Sequence, residues 1–352
     1  MNTQNKTDLA VVVGRFQPFH QGHLALLSHA LDAADHVVVV IGSAYQARTP
    51  RNPFTWQERA DMISRSLPEP QRDRVSFLPI RDWFDEQKWQ AAVRTGVERL
   101  AQMRLTRRVP TITLIGHLKD ETSTYLEHFD GWHFLAIPRH CPTDATHIRD
   151  TYFGGEGAAL ETALASLKDA VPEASRRFLI TWAKSPEYAA ICQEWRMLQA
   201  YQRAWSAAPY PPVFVIVDAV VRCADKVLLI QRGQPPGVGL YAVPGGFIEQ
   251  RETACQSALR ELREETRLEV PESDMKAALR GQAVFDHPDR SQRGRTITHA
   301  FYFDLGQRPL PTVRADDDAR SAEWIDIAQI PKMEDRFHDD HFHMLDHFLV
   351  LI

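Results

Sequence analysis

Residues 9–13 (Leu-Ala-Val-Val-Val) form a short apolar run stopped by Gly14, and residues 37–41 (Val-Val-Val-Val-Ile) form another stopped by Gly42. Each is too short for a helix, rich in valine and closed by glycine, the pattern of a strand buried on both faces of a parallel sheet. Between them, residues 22–35 carry Leu24, Leu27, Ala30 and Leu31 at helical spacing. Strand, helix, strand within about 30 residues makes a βαβ unit, because parallel strands need a crossover. Further runs at 75–80, 111–115 and 134–137 read as strands of the same sheet. The first part of the chain is therefore predicted to be a doubly wound α/β domain.

With 352 residues the chain exceeds the usual size of a single core, so two domains are expected. Residues 158–205 read as helical with breaks near Pro172 and Pro186, and 206–212 (Ser-Ala-Ala-Pro-Tyr-Pro-Pro) form a stiff connector. The expected domains are 1–184 and 213–352, with a helix and the proline-rich connector at 185–212. In the second, 213–221 and 226–231 suggest a hairpin, 233–239 a Gly-Pro loop, 252–266 a helix, and 282–285 and 296–304 strands. Strands around one well-defined helix suit an α+β or layered α/β/α domain.

A net charge of −5 gives no support for binding nucleic acid or an anionic membrane. Cys141, Cys192, Cys223 and Cys255 are widely spaced and form no CxxC pair, which argues against a disulfide framework or a structural zinc site. No apolar stretch approaches the roughly 18 residues of a membrane span, and the reading is cytoplasmic. The helix at 185–205 can pack on its own domain or form an oligomer interface.

Gly14-Arg15-Phe16-Gln17-Pro18-Phe19-His20-Gln21-Gly22-His23 lies where the first strand meets the first helix. Ligands of open α/β sheets bind beyond the carboxyl ends of the strands, where a helix N-terminus offers N–H groups to a phosphate. His20 and His23 share a face of the first turn, Gly22 lets backbone approach a ligand, and Arg15 adds fixed positive charge. The spacing is not that of a Walker loop. Nucleotidyl transfer suits such a site: a phosphate attacks the α-phosphorus, pyrophosphate leaves, and neutral or protonated histidines donate to the oxygens that gain charge.

GRFQPFHQGH resembles the HxGH nucleotidylyltransferase superfamily and, within it, the archaeal-type nicotinamide mononucleotide (NMN) adenylyltransferases. Gly42-Ser43-Ala44, Thr49, Asn52-Pro53-Phe54-Thr55 and Glu58-Arg59 resemble that family's second stretch. Gly116-His117-Leu118-Lys119-Asp120 with Ser123 and Tyr125 resembles its third, and Asp144-Ala145-Thr146-His147-Ile148-Arg149 its ISGTxIR segment. The resemblance implies a Rossmann-like doubly wound parallel sheet and ATP binding by Gly14, Arg15, Phe16, His20, Gly22, His23, Thr146 and Arg149. Of these, His20, His23 and Arg149 would be catalytic. It also implies NMN binding by Asn52, Phe54, Lys119, Asp120, Tyr125 and Trp132. Trp83, Trp132 and Tyr125 can stack on a nicotinamide or adenine ring or belong to the core. Asp144 stands where the family has Ser, which puts one phosphate hydrogen bond in question.

In the second domain, Glu261, Glu264 and Glu265 are related by i, i+3 and i+4 and share one helix face. Cys255, Ala258, Leu259 and Leu262 occupy the neighbouring face. Clustered carboxylates repel unless a cation neutralises them, and oxygen-only ligands suit Mg²⁺ or Mn²⁺. Gly246, Glu252, Arg260, Glu261, Leu262, Glu264, Glu265 and Leu268 resemble the Nudix box, GX5EX7REUXEEXGU. The resemblance implies an α/β/α Nudix domain with Glu261, Glu264 and Glu265 as metal ligands, of which Glu264 and Glu265 would also be catalytic. Arg267 replaces the box's second glycine, and a left-handed backbone there would cost on the order of 1 kcal/mol. The 287–301 stretch is similar to ADP-ribose pyrophosphatases; Arg290, Arg293 and Arg295 can bind phosphates or form a solvated loop.

Over nearly its whole length the chain resembles bifunctional NMN adenylyltransferase/Nudix hydrolases. That implies ATP, NMN and ADP-ribose as small-molecule partners and Mg²⁺ as the metal. The rival readings are adenylylation or cytidylylation of another phosphorylated small molecule, such as phosphopantetheine, a second domain that senses ADP-ribose without cleaving it, and a second domain that cleaves another nucleoside diphosphate derivative.

Overall fold

The computed structural model describes residues 6–105, 109–117, 129–138, 144–155 and 158–352. Leu118, Lys119, Asp120, Ser123, Tyr125 and Cys141 lie outside the described residues. The chain divides into two compact units, Met1–Cys192 and Gln193–Ile352.

Unit 1 contains, in order, β1 (Thr7–Gly14), α1 (Gln21–Ala33), β2 (Ala34–Ile41), α2 (Trp56–Arg65), α3 (Glu69–Arg72), β3 (Val75–Pro79) and α4 (Glu86–Arg104). It continues with β4 (Ile112–Gly116), β5 (His133–Ala136), α5 (Ala145–Gly154), α6 (Ala158–Ser166) and α7 (Glu173–Trp182). The strands form one sheet in the order β3-β2-β1-β4-β5, every adjacent pair parallel. Val11, Val38 and Leu114 are almost fully buried and pack with Val93 and Val97 of α4. Ala10, Val12, Val37 and Val39 are equally buried. Burial of successive residues is why these strands read as unbroken apolar runs and not as alternating ones. The strand order reverses between β1 and β4, which opens a crevice beyond their carboxyl ends.

The division between units falls within α8 (Pro186–Trp205), upstream of the proline-rich 206–212 where the sequence suggests a boundary. The physical reason is that each half of α8 is built into its own unit. Tyr188 donates to the carbonyls of Tyr152 and Gly155, whereas Glu194 accepts the Gly237 N–H at 3.1 Å.

Unit 2 holds β6 (Val213–Cys223), β7 (Lys226–Arg232), β8 (Tyr241–Ala242), β9 (Gly245–Phe247), α9 (Ala254–Thr266), α10 (Glu272–Ala278) and β10 (Leu279–Phe285). β11 (Arg295–Asp304), β12 (Ala319–Asp326) and α11 (His341–Leu349) complete it. The mixed sheet runs β10-β11-β6-β7-β12. β6 and β7 pair only near their connecting turn, at Arg222–Val227 and Cys223–Lys226. They then splay, so that β9 pairs with β6 and β8 with β7. Val217, Ala219 and Val221 face α9 through Ala258, Leu259 and Leu262, while Val220, Val227 and Leu229 face α11 through Phe342, Met344 and Leu345. Two apolar faces on one sheet make the α/β/α sandwich.

Candidate active sites

The first site grows from the junction of β1 and α1. Gly14 is forced by packing: a Cβ there would lie 2.9 Å from the Phe16 ring. His20 is the N-cap of α1, and its Nδ1 accepts the His23 N–H at 3.4 Å. His23 reciprocates, its Nδ1 accepting the His20 N–H at 3.4 Å, so two imidazoles make the capping box that Ser and Glu usually make. The rings stack at 3.6 Å. With both Nδ1 atoms accepting, each neutral ring carries its proton on Nε2. Two imidazole Nε2–H groups thus stand at a helix N-terminus.

These histidines line a cleft of about 280 Å³ together with Arg15, Phe16, Gly22, Thr146 and Arg149. Arg149, almost wholly buried, donates to the Gln17 carbonyl at 2.8 Å and to Thr146 Oγ1 at 3.2 Å. Burial first, and then repulsion from Arg15, lowers its guanidinium to about 10, still charged at neutral pH. An anion in the cleft would relieve both effects. Asp144, the N-cap of α5, accepts the Thr146 N–H at 2.7 Å and lines the same cleft.

The second stretch acts as scaffold. Thr55 and Glu58 cap α2 reciprocally, and Glu58 pairs with Arg48 at 2.6 Å. Arg59, 1% exposed, donates to the carbonyls of Arg15 (2.6 Å), Gly42 (2.7 Å), Ser43 (3.1 Å) and Thr55 (3.2 Å). Phe54, which the resemblance places among the NMN-binding residues, lies in the same stretch. It is buried against Phe178 and Trp182, and its backbone pairs with the Gln17 side chain in both directions.

Trp132 is displaced from its expected role. It precedes β5, at the amino end of a parallel strand and therefore opposite the ligand edge, where it stacks on Phe129 at 4.8 Å. Asn52 and Trp83 do lie beyond strand carboxyl ends. Asn52 Nδ2 donates to Gln46 Oε1, while Asn52 Oδ1 and Trp83 Nε1 are buried without a partner. Gln46 and Asp82 were not picked out from the sequence, yet they join this group: Asp82 accepts from Ser43 Oγ at 2.6 Å and from Gln46 at 3.2 Å. A carboxylate just beyond the end of β3 was the available signal.

The second site is the acidic face of α9, whose N-cap Thr253 forms a capping box with Gln256. Glu265, 4% exposed, accepts the Gly245 N–H at 2.9 Å. Burial lifts its carboxyl to about 8; the Gly245 bond opposes this and Glu261 adds to it. Glu261 is also raised, mainly by burial. Gly246 lets the Glu261 carboxyl pack against the backbone, since a Cβ there would lie 2.5 Å from the carboxyl carbon and push it aside. Arg260 donates to Glu252 (3.0 Å), Glu261 (2.9 Å) and Glu264 (2.8 Å).

The predicted ligand trio is thus not assembled as a cage: among the described residues no three His, Cys, Asp or Glu groups converge for a metal. Arg260 holds one carboxylate oxygen of Glu261 and one of Glu264 instead. The donor set nevertheless fits a hard divalent cation, because buried Glu265 and half-buried Glu261 are carboxylates whose repulsion such an ion would cancel. Beneath them, Asp218 is 2% exposed, its Oδ2 has no partner, and burial raises it to about 7. Arg290 is not available to a phosphate, being locked to Asp340 at 2.8 and 2.9 Å. Arg295 donates to the Asp286 carbonyl. Arg267 does adopt the left-handed backbone, φ 45°, and pairs with Asp316 at 2.6 Å.

Residues 11–150 match the family model "Cytidylyltransferase-like" and residues 212–348 match "NUDIX domain". A nicotinamide/nicotinic acid mononucleotide adenylyltransferase of Acinetobacter baylyi is 34% identical over 192 residues, 54% of this chain and 95% of that protein. An ADP-ribose pyrophosphatase of Methanocaldococcus jannaschii is 39% identical over 119 residues, 34% of this chain and 65% of that one. The crystal structure of a bifunctional NMN adenylyltransferase/ADP ribose pyrophosphatase from Francisella tularensis, complexed with AMP and Mn ion, is similar with TM-score 0.89 and 33% identity, covering 98% of this chain and 99% of that one. Fold and sites therefore define a two-domain enzyme, a nucleotidyltransferase joined to a Nudix hydrolase. The chain belongs to the family of bifunctional NMN adenylyltransferase/ADP-ribose pyrophosphatases. Membership of the Nudix hydrolases carries dependence on a divalent metal ion. Among the described residues no helix is long and apolar enough to cross a membrane.

Proposed function

We propose that unit 1 condenses NMN with ATP to give NAD and pyrophosphate, and that unit 2 hydrolyses ADP-ribose to AMP and ribose 5-phosphate. The observation that carries the first half is the two-imidazole capping box facing Arg15 and Arg149 across one cleft. An NMN phosphate oxygen bonds to the α-phosphorus of ATP, and the bond from that phosphorus to the bridging oxygen breaks. The Nε2–H groups of His20 and His23 and the guanidinium of Arg149 stabilise charge on the oxygens around phosphorus, and no covalent enzyme intermediate is needed. Asn52 and Trp83, with their orphaned polar atoms, are offered as the nicotinamide side of the cleft.

In unit 2, Glu261 and Glu265 would hold the metal, with Glu264 assisting. Bound there, Mg²⁺ would polarise the diphosphate and lower the pKa of water. Gly245 orients Glu265 through its N–H, and Gly246 lets the chain pass close against Glu261. The intact carboxylate set supports turnover of ADP-ribose over binding alone.

Purified protein should form NAD from NMN and ATP, and should release AMP from ADP-ribose when Mg²⁺ or Mn²⁺ is present. Failure of the first reaction across a panel of phosphorylated acceptors that includes NMN would sink the assignment of unit 1. Cleavage of ADP-ribose that survives Glu265→Gln undiminished would sink that of unit 2.

A further inference from the structure

Beside the acid cluster, unit 2 carries an aromatic shelf that neither signature accounts for. Phe247 directly follows Gly246, against which the Glu261 carboxylate packs, and its carbonyl accepts Arg260 Nη2 at 3.3 Å. Phe247 is 46% exposed. It meets Phe214 edge-on at 6.1 Å, and Phe214 meets Trp205 at 5.2 Å and Tyr201 at 5.7 Å. The Arg293 guanidinium lies 5.6 Å over the Phe247 ring. Large apolar rings left in water mark binding surfaces when they cluster.

We propose that Phe247, backed by Phe214 and Trp205 and flanked by Arg293, is the platform on which the base of the nucleoside diphosphate substrate stacks. This rests on the hydrolase reading of unit 2 and names a subsite of that same centre. Strand alternation turns the Phe247 ring away from the face of β9 that meets α9, which keeps it open and not sealed under the helix. Among the described strands β9 pairs with β6 alone, so a ligand can reach from the carboxylates round the other edge of β9 to the ring. The backbone of Phe247 is tied to Arg260, so the shelf is fixed to the residue that gathers the acids. An aromatic ring with a guanidinium over one face suits a flat heterocycle carrying phosphates, the base stacking on the ring and the guanidinium pairing with phosphate. A purely apolar protein partner would instead have to desolvate Arg293.

The test is Phe247→Ala in the full chain, with ADP-ribose hydrolysis inhibited separately by AMP and by ribose 5-phosphate. KM for ADP-ribose and the AMP inhibition constant should both rise at least about fivefold, the low end of base–aromatic stacking. Inhibition by ribose 5-phosphate, which has no base, should stay as in the wild type. Phe247→Trp should restore AMP binding, which a general folding defect would not allow. Unchanged AMP inhibition would overturn the proposal, as would equal loss for both inhibitors, or an unaltered KM with a changed oligomeric state, the mark of an interface between copies. Wild-type turnover of ADP-ribose tests the hydrolase reading on its own. If the wild type binds ADP-ribose without cleaving it, the same comparison is made on equilibrium affinities.

Discussion

Asp144 places a carboxylate at the N-terminus of α5, where the related segment has serine, and its oxygen takes the Thr146 N–H. A helix N-terminus attracts anions, so this residue spends on itself a donor that a phosphate could use, and adds a negative charge. Asp144→Ser should therefore lower KM for ATP by about two- to fivefold, the effect of roughly 0.5–1 kcal/mol at an exposed terminus. A higher KM in steady-state kinetics would show that the carboxylate helps to hold the nucleotide. Glu265 makes a second residue-scale prediction. Burial raises its carboxyl from 4.5 to about 8. Between those values the folded chain keeps a proton that the unfolded chain releases, so metal-free stability falls as pH rises through the window. Asp218, raised by burial from 3.8 to about 7, acts in the same direction. Melting of the metal-free protein should be higher near about pH 6 than near about pH 8, with a flatter profile for Glu265→Gln, and added Mg²⁺ should stabilise more at the higher pH. A melting temperature that climbs across this range would contradict the assignment.

The elements that sequence made legible were those whose signal is local. Valine runs ended by glycine gave the central strands, and the spacing of Leu24, Leu27, Ala30 and Leu31 gave α1. β12 escaped because Ala-Arg-Ser-Ala-Glu-Trp-Ile-Asp is polar and only half-buried, and tertiary pairing with β7 makes it a strand. Among site residues, His20, His23 and the acids of α9 were legible from motif spacing. The job of Arg59 was not, because its partners are carbonyls spread over β1, β2 and α2. A lysine cannot reproduce that fork. Arg59→Lys should cost roughly 2–3 kcal/mol by leaving buried carbonyls unpaired, seen as a lower melting temperature, and should raise KM for ATP because Arg15 is no longer fixed. The end of α9 gives the opposite case. Arg267 holds a left-handed backbone that disfavours it by about 1 kcal/mol, offset in part by an exposed pair with Asp316 worth no more than about 1 kcal/mol. Arg267→Gly should thus be neutral to slightly stabilising in thermal denaturation. A loss of more than about 1 kcal/mol would mean the Asp316 pair governs the cap.

At the scale of the whole molecule, length alone pointed to two cores, but the boundary was obscured because α8 runs unbroken through it. Each unit has its own sheet, its own buried core and its own capped helix presenting the chemistry. The two sites also use opposite electrostatics. Imidazole and guanidinium donors line the cleft in unit 1, whereas the carboxylates of unit 2 require a cation before they can meet an anion. Sites built separately in this way should fail separately. His23→Ala should reduce NAD synthesis by roughly 10²–10³, the usual effect of losing one donor to a charge-developing oxygen. It should leave ADP-ribose hydrolysis within about twofold of wild type, since each site is built from the residues of its own unit and substitutions with no shared partners act additively. Glu265→Gln should do the converse. Both activities are best followed in one preparation of the 352-residue chain, with NAD read by a dehydrogenase couple and AMP by chromatography. A single substitution that lowers both rates by the same factor would mean that the two sites share a conformational step.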